Sequence, residues 1–239
     1  MTILDRVGEA LAFGRREEMR LVAQIPPELR SARGTPETWS TRDNLIHLAV
    51  WKLFFVQAME EPAFGPEDPG PEHTDAMNRT IFLSGSRLTW DQAEAFLAHV
   101  HRRTILALQR FGAEALEDVH LFPWLNGQPL WRRLLGSAVM HPVFHYALIF
   151  QQIGLPQEAL RMQERMLLFL DAVSPQRAWL GTGRYNLACA YALSGERERA
   201  LEWLAEGIRL QPDLAEFSKT DSDLDSIRGD PRYLAMLTR

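Results

Sequence analysis

Apolar residues recur at intervals of three and four along most of the chain, and this spacing constrains the fold more than any other feature. Residues three and four apart share one face of an α-helix, whereas a half-buried strand needs sustained alternation of apolar and polar residues. Such alternation is almost absent from the sequence. The pattern therefore predicts an all-α protein, with a first helix over residues 3–23 that ends before Pro26 and Pro27.

The second helix has a clear start signal. Ser40 is followed three residues later by Asp43, which is the spacing of a capping box and also places an acid at the positive end of the helix dipole. A proline-rich loop is predicted over residues 61–74, and long loops of this kind often shape a site. A short helix is then predicted from Thr74 or Asp75 to about Leu83.

Two more long helices complete the predicted bundle. One runs from Trp90 to Phe111, and the other covers residues 129–152. The predicted core stripe of the first comprises Ala93, Phe96, Leu97, Val100, Thr104, Ala107 and Phe111. Together with the first two helices, they predict an up-down four-helix bundle.

The last third of the chain carries a repeat pattern. Residues 181–214 form one 34-residue unit that resembles a tetratricopeptide repeat (TPR), with a turn at Gly195. The matching positions are Leu187, Ala188, Tyr191, Ala200, Leu204, Gly207 and Pro212. Arg184 and Leu204 depart from the residue types that the pattern favours. The resemblance implies a small helical hairpin region, and a single repeat needs further surface to bury its apolar face.

A weaker copy of the pattern precedes this unit. Residues 150–160, FQQIGLPQEAL, match residues 191–201, YALSGERERAL, in their aromatic, Gly and Ala-Leu positions. We therefore expect a bundle domain over residues 1–154, and a TPR-like region over residues 155–239 that ends in a capping helix from Pro231 onward.

Charge and hydropathy exclude two classes of partner. The net charge of −5 supplies no cationic surface for phosphates, so we expect no nucleic-acid partner. No apolar run reaches the roughly 20 residues that a membrane span needs, and the amino terminus lacks signal-peptide features, so we expect no membrane partner and a cytoplasmic location. The single cysteine, Cys189, forms no intrachain disulfide, and it occupies a repeat position that usually packs.

His141 and His145 lie four residues apart in an apolar run, with Pro142 between them. Imidazoles at this spacing stand on one face of a helix, where they form either half of a metal site or a pair of core histidines. Pro142 cannot donate a backbone hydrogen bond to residue 138 and disfavours helical geometry at His141. The helix is therefore predicted to kink or restart at this point.

Several short motifs occur in a recognisable order over residues 1–152. They are TWSTRDNLIHLAVW at residues 38–51, DAMN at 75–78, FPWLNGQPLW at 122–131 and the HPVFH of the last bundle helix. In this order they resemble the DinB/YfiT-like bundle superfamily, and more closely its ClbS/DfsB branch. In many proteins of this superfamily, one histidine of the second helix and two of the fourth bind a divalent metal.

The resemblance implies a metal site formed by His47, His141 and His145, with zinc or nickel as the ion. Such a site suits a metal-dependent hydrolase or transferase. The ClbS/DfsB branch implies protection against a small electrophilic or thiol-conjugated molecule and does not obviously depend on a metal. In that case the same histidines act as acid, base or binding groups.

Other residues have competing interpretations. Trp51 and Asn78 are candidate substrate-binding residues. A core role is the stronger interpretation of Trp51, and a solvated helix surface accounts for Asn78 equally well. Asp43 is a candidate acceptor for His47, but helix capping is the stronger interpretation of this residue. The remaining histidines lack ligand spacing: His99 and His101 lie on different faces of a helix, and His73 and His120 lie in predicted loops.

Two functions from different classes remain. The first is an enzyme with a small-molecule substrate, whose three imidazoles point into one pocket. The second is a non-catalytic bundle in which the TPR-like region binds a protein, either another chain or a second copy in a homodimer. The sequence identifies no catalytic residue.

Overall fold

The computed structural model describes residues 1–61 and 70–237, and every regular element within them is helical. The predicted all-α class is therefore confirmed. The chain divides into two compact units, Met1–His145 and Tyr146–Arg239. The predicted domain boundary near Gly154 stays a prediction. No helix within the described ranges is long and apolar enough to cross a membrane.

The first unit contains the bundle helices. They are α1 (Ile3–Gln24), α2 (Pro27–Arg30), α3 (Thr41–Glu60), α4 (Gly70–Gly85), α5 (Trp90–Leu108), α6 (Ala113–Glu117), a 3-10 turn (Pro123–Leu125), α7 (Leu130–Leu135), a π-helical segment (Gly136–Met140) and the start of α8 (His141–Gln152). The fourth long helix of the prediction is thus three consecutive pieces. The core of the first unit includes Val7, Leu11, Phe13, Leu45, Leu48, Phe55, Leu97, Val100, Leu134 and Val139.

Capping explains where three of the long helices begin. Thr2, Ser40 and Thr89 each accept a hydrogen bond from the third helical backbone N–H, and the side chain of that third residue returns a bond to the cap. The predicted capping box of Ser40 and Asp43 is confirmed. These reciprocal bonds satisfy N–H groups that a helix start otherwise leaves unpaired.

Two predicted boundaries differ from the structure. α4 begins at Gly70 rather than at Thr74 or Asp75, which places His73 in a helix and not in a loop. Pro71 falls in the first turn, where proline is tolerated because its missing N–H has no intrahelical partner. α5 ends at Leu108, short of Phe111. Residues 62–69 of the predicted loop lie outside the described residues.

The predicted core stripe of α5 is correct at five positions and only partly buried at two. Phe96 and Phe111 retain intermediate exposure. Thr104 is fully buried and donates its hydroxyl to the carbonyl of Val100, which satisfies its polar atom within the helix.

The second unit contains α9 (Pro156–Val173), α10 (Arg177–Leu193), α11 (Arg197–Leu210), α12 (Leu214–Ser218), a 3-10 turn (Ser222–Leu224) and α13 (Pro231–Met236). α10 and α11 form a helical hairpin. Its core also takes in Leu160 and Leu167 of α9 and Tyr233 of α13. The apolar face of the hairpin is therefore covered in part within this unit.

The two matching sequence segments of the repeat form the same turn. Gly154 and Gly195 both have a positive φ, of 78° and 79°. In each turn the following N–H bonds to a carbonyl five residues earlier, from Leu155 to Phe150 and from Glu196 to Tyr191. This bond and the left-handed glycine define a Schellman cap, which ends both helices in the same way.

Candidate metal centre

The candidate site combines side chains from two helices of the first unit. His47 lies in the second turn of α3 and is only 4% exposed, while His141 and His145 lie at the start of α8 and are half-buried. His141 is the first residue of α8, and His145 follows one turn later on the same face.

The helix accommodates Pro142 through a wider segment shortly before it. The π-helical segment Gly136–Met140 directly precedes His141, which itself has right-handed helical angles of φ −59° and ψ −49°. A proline ring collides with the carbonyl four residues earlier in a regular α-helix. A wider turn relieves that collision, and π-segments of this kind are frequent at functional sites. The helix continues through His141 in helical geometry, so the unfavourable geometry predicted at His141 is not found; the irregularity is the π-segment before it, and His141 still reaches the other two histidines.

The three imidazoles converge. Nε2 of His47 lies 3.1 Å from Nε2 of His141. Each of the three residues contributes one ring nitrogen, and these three nitrogens lie within 4.8 Å of one another. The ring centroids are 4.8 to 5.1 Å apart in the three pairs. The predicted set of three is thus assembled at one point.

Burial keeps these imidazoles neutral. It lowers the pKa of His47 to about 2, helped by the nearby His145 and His141. It also lowers the pKa of His141 to about 3, with smaller effects of His145 and Lys52, and the pKa of His145 to about 4. A neutral imidazole has one unprotonated nitrogen, so each residue has a lone pair to offer at neutral pH.

Asn44 fixes the orientation of His145. The Nδ2 group of Asn44 donates to the carbonyl of Ser40 at 3.0 Å, so its Oδ1 atom is the acceptor that faces Nδ1 of His145 at 2.8 Å. Nδ1 of His145 therefore carries the ring proton and donates it. Nε2 is left unprotonated, as it is in histidines that bind metals and donate their other nitrogen to a partner.

The donor set fits a divalent transition metal. Three neutral imidazoles are typical zinc or nickel ligands. Zn–N bonds of about 2.0–2.1 Å place two tetrahedral ligand nitrogens about 3.3 Å apart. The pair from His47 and His141 is close to this spacing at 3.1 Å, while the set of three as a whole lies within 4.8 Å. One detail differs from a complete site: Nδ1 of His47 is buried without a hydrogen-bond partner among the described residues. His47 therefore lacks the orienting acceptor that His145 has.

Aromatic rings surround the histidines. Trp39 packs its ring 4.7 Å from that of His47, Trp51 lies 6.3 Å from it, and Phe144 lies 5.9 Å from His145. Trp51 donates its indole N–H to Oδ1 of Asn78 at 2.9 Å. The structure thus brings the two predicted substrate-binding residues together and places Trp51 beside the site.

Asp43 has the capping role and not the orienting one. Its carboxylate accepts hydrogen bonds from the Ser40 backbone and hydroxyl, from the Gly34 N–H and from Arg42. The interpretation of Asp43 as an acceptor for His47 is therefore wrong. The residue that orients an imidazole is its neighbour Asn44, which the sequence reasoning missed although it precedes His47 by three residues on the same helix face.

The other histidines do not join the site. His99 is exposed and His101 half-buried on α5, and His120 is exposed. In the second unit, Cys189 and Tyr185 both donate to the carboxylate of Asp221. Burial and this carboxylate raise the pKa of the Cys189 thiol, so the thiol is protonated and unreactive.

A helical bundle with three convergent neutral histidines defines a class of candidate metal-binding proteins. Comparison with known proteins then identifies the family, since the model of the DinB superfamily matches residues 10–149, more than half of the chain. The chain belongs to the DinB superfamily. Searches of curated proteins and of solved structures find no match to it.

Proposed function

We propose that the protein is a metal-dependent hydrolase or transferase that acts on a small electrophilic or thiol-conjugated molecule. One observation carries this proposal: His47, His141 and His145 bring three neutral ring nitrogens to one point on two helices of a DinB-type bundle. Neutral and partly buried imidazoles carry no positive charge with which to bind an anion, but they are good ligands for a transition metal.

The residues of the chain have distinct tasks in this proposal. His47, His141 and His145 hold a divalent ion, zinc or nickel, which when bound polarises an oxygen atom of the substrate. Asn44 keeps the proton of His145 on Nδ1. Three protein ligands leave a coordination position for the substrate. His141 and His145 are less buried than His47, so we infer access for a small molecule from their side.

The substrate class rests on the resemblance to the ClbS/DfsB branch and on the surroundings of the site. The rings of Trp39, Trp51 and Phe144 favour a substrate with apolar surface next to its reactive group. Trp51 and Asn78 are the proposed substrate-binding residues. Because the indole N–H of Trp51 is engaged by Asn78, we assign Trp51 a packing contact with substrate through its ring.

The proposal is tested by reconstitution. Tag-free protein is stripped with a chelator, reloaded with zinc or nickel, and incubated with a panel of epoxides, thioesters and glutathione conjugates, with products followed by mass spectrometry. We expect turnover of at least one class that needs the metal, disappears in His145→Ala and persists in His99→Ala, a variant of an exposed histidine outside the site. Equal product formation by stripped and reloaded protein would refute the proposal.

The second candidate function is a protein-binding module in the TPR-like unit. The helical hairpin of α10 and α11 and the repeated Schellman turns at Gly154 and Gly195 favour a repeat architecture, whose usual role is protein binding. The partner is either another protein or a second copy of the chain. Sedimentation velocity over a range of concentrations tests the second case: a homodimer should weaken in Leu168→Asp, which replaces a leucine that is 70% exposed.

A further inference from the structure

An apolar cavity lies beside the candidate metal centre in the first unit. It has a volume of about 300 Å³ and lies between α3, α4 and α5. Ile46, Val50 and Phe54 of α3 form one wall, and Met77 and Ile81 of α4 form the opposite one. Two hydroxyl residues, Thr80 and Ser84, are exposed at its edge, and no charged side chain lines it among the described residues.

The cavity and His47 lie on neighbouring faces of α3. Ile46, Val50 and Phe54 follow one another at intervals of four residues, and His47 and Trp51 form the adjacent stripe. The ring of Trp51 contacts both stripes, since its centroid lies 6.3 Å from that of His47 and 6.0 Å from that of Phe54. The indole of Trp51 therefore borders both the candidate ligand His47 and the cavity wall at Phe54.

The helix α4 is held close at this point. A Cβ atom on Gly85 would lie 2.6 Å from Cγ2 of Ile46, so only glycine allows the end of α4 to approach α3 so closely. Asn78, next to Met77, holds Trp51 by its hydrogen bond. The cavity wall and the aromatic wall of the metal centre are thus positioned by the same pair of helices.

We propose that this cavity binds an uncharged alkyl or aryl group of the substrate while the polar, reactive end of the same molecule faces the histidines. The position of the reactive end at the histidines rests on the proposed function, whereas binding of the apolar group in the cavity does not. An uncharged lining excludes an ionic group, because a buried charge needs a partner. The volume is about twice that of a cavity that takes benzene, which corresponds to an alkyl chain of roughly eight to ten carbons or a bicyclic aryl group.

The cavity itself is tested with 1-alkanols of increasing length, measured by displacement of the uncharged fluorophore N-phenyl-1-naphthylamine. Each methylene that enters an apolar site should tighten binding about fourfold. The increase should stop at roughly eight to ten carbons, when the cavity is full. Binding that is absent, or that does not depend on chain length, would overturn the proposal.

Two pairs of variants locate the binding. Met77→Ala enlarges the cavity and should move the length limit upward by two or three carbons, whereas Met19→Ala removes the same atoms from an exposed position of α1 and should leave the limit unchanged. Ser84→Trp at the cavity edge should weaken binding at least tenfold, and Leu83→Trp, at the neighbouring exposed position, should not. Equal effects within both pairs would place the binding elsewhere and refute the assignment.

The link to the histidines is tested with n-alkyl hydroxamates, whose head group ligates zinc. In zinc-loaded protein, a hydroxamate should bind more tightly than the alkanol of the same length, with the same length limit, and His145→Ala should remove only the difference. A hydroxamate series without that limit would overturn the link between cavity and histidines. Failure of the proposed function has a different signature: the protein takes up no metal, while the alkanol series is unchanged.

Discussion

The hydrogen bond between Asn44 and His145 gives the sharpest quantitative prediction. Asn44→Ala removes the acceptor that holds the proton on Nδ1 of His145, across a distance of 2.8 Å. Loss of such a partner typically weakens metal binding 10- to 100-fold, which corresponds to about 1.4–2.7 kcal/mol. Asn44 is also 8% exposed and bonds to the carbonyl of Ser40, so the variant should in addition lose about 1 kcal/mol of stability.

The assay is competition for zinc between the protein and a chromophoric chelator at neutral pH. Asn44→Asp separates orientation from stability, because a carboxylate still accepts from His145 but no longer donates to Ser40. We expect Asn44→Asp to retain zinc affinity close to that of the original chain while its stability falls. Asn78→Ala is the matched control, since this residue bonds to Trp51 and not to a histidine.

Two outcomes would refute this reasoning. If Asn44→Ala binds zinc as tightly as the original chain, the hydrogen bond does not prepare His145 for a metal. If Asn44→Ala and Asn78→Ala weaken zinc binding to the same extent, the effect reflects general loosening of α3 and α4 and not the orientation of one imidazole.

Three further predictions concern stability. Burial, aided by Arg15, lowers the pKa of Lys52 from 10.5 to about 8. Between these two pH values the unfolded chain binds more protons than the folded one, so the free energy of unfolding should rise with pH by up to about 3 kcal/mol. Denaturant unfolding at a series of pH values should show this rise, and its persistence in Lys52→Met would contradict the assignment. Gly195→Ala should cost about 1–2 kcal/mol because φ is 79° there, whereas Gly8→Ala, inside α1 and with open space around it, should not lower the midpoint of thermal unfolding. Ser40→Ala removes the cap of α3 and should cost about 1 kcal/mol in urea unfolding, and an unchanged midpoint would speak against the cap.

Local signals predicted much of the fold because their causes are local. The capping box of Ser40 and Asp43 is confirmed because both partners lie within one turn, and the repeated glycines at 154 and 195 form the turns that their sequence context indicates. The sequence pattern places the start of α4 too late, because it counts Pro71 with the loop although a helix tolerates proline in its first turn.

The site was predicted in part for a different reason. The spacing of His141 and His145 is a property of one helix, but the contribution of His47 depends on how α3 and α8 pack, and only the family resemblance indicated it. The π-segment before Pro142 could not be read from the sequence, because it is one of several ways in which a helix can accommodate a proline. Asn44 was within reach of the sequence, since it lies three residues before His47, yet its partner lies on another helix.

The cavity between α3 and α4 depends on tertiary packing throughout. Its apolar residues follow the same pattern as core residues, and nothing in their spacing shows that they enclose space rather than fill it. Gly85 is the exception, because a glycine at the end of a helix is a sign of close approach or of a cap, and here the approach to Ile46 requires it.

Metal analysis of tag-free protein by inductively coupled plasma mass spectrometry tests the central claim most directly. We expect near-stoichiometric zinc or nickel in the purified chain, loss of that metal in His145→Ala, and full retention in His99→Ala. Purified protein that holds no transition metal and takes up none from a zinc or nickel solution, with His145→Ala behaving in the same way, would contradict it.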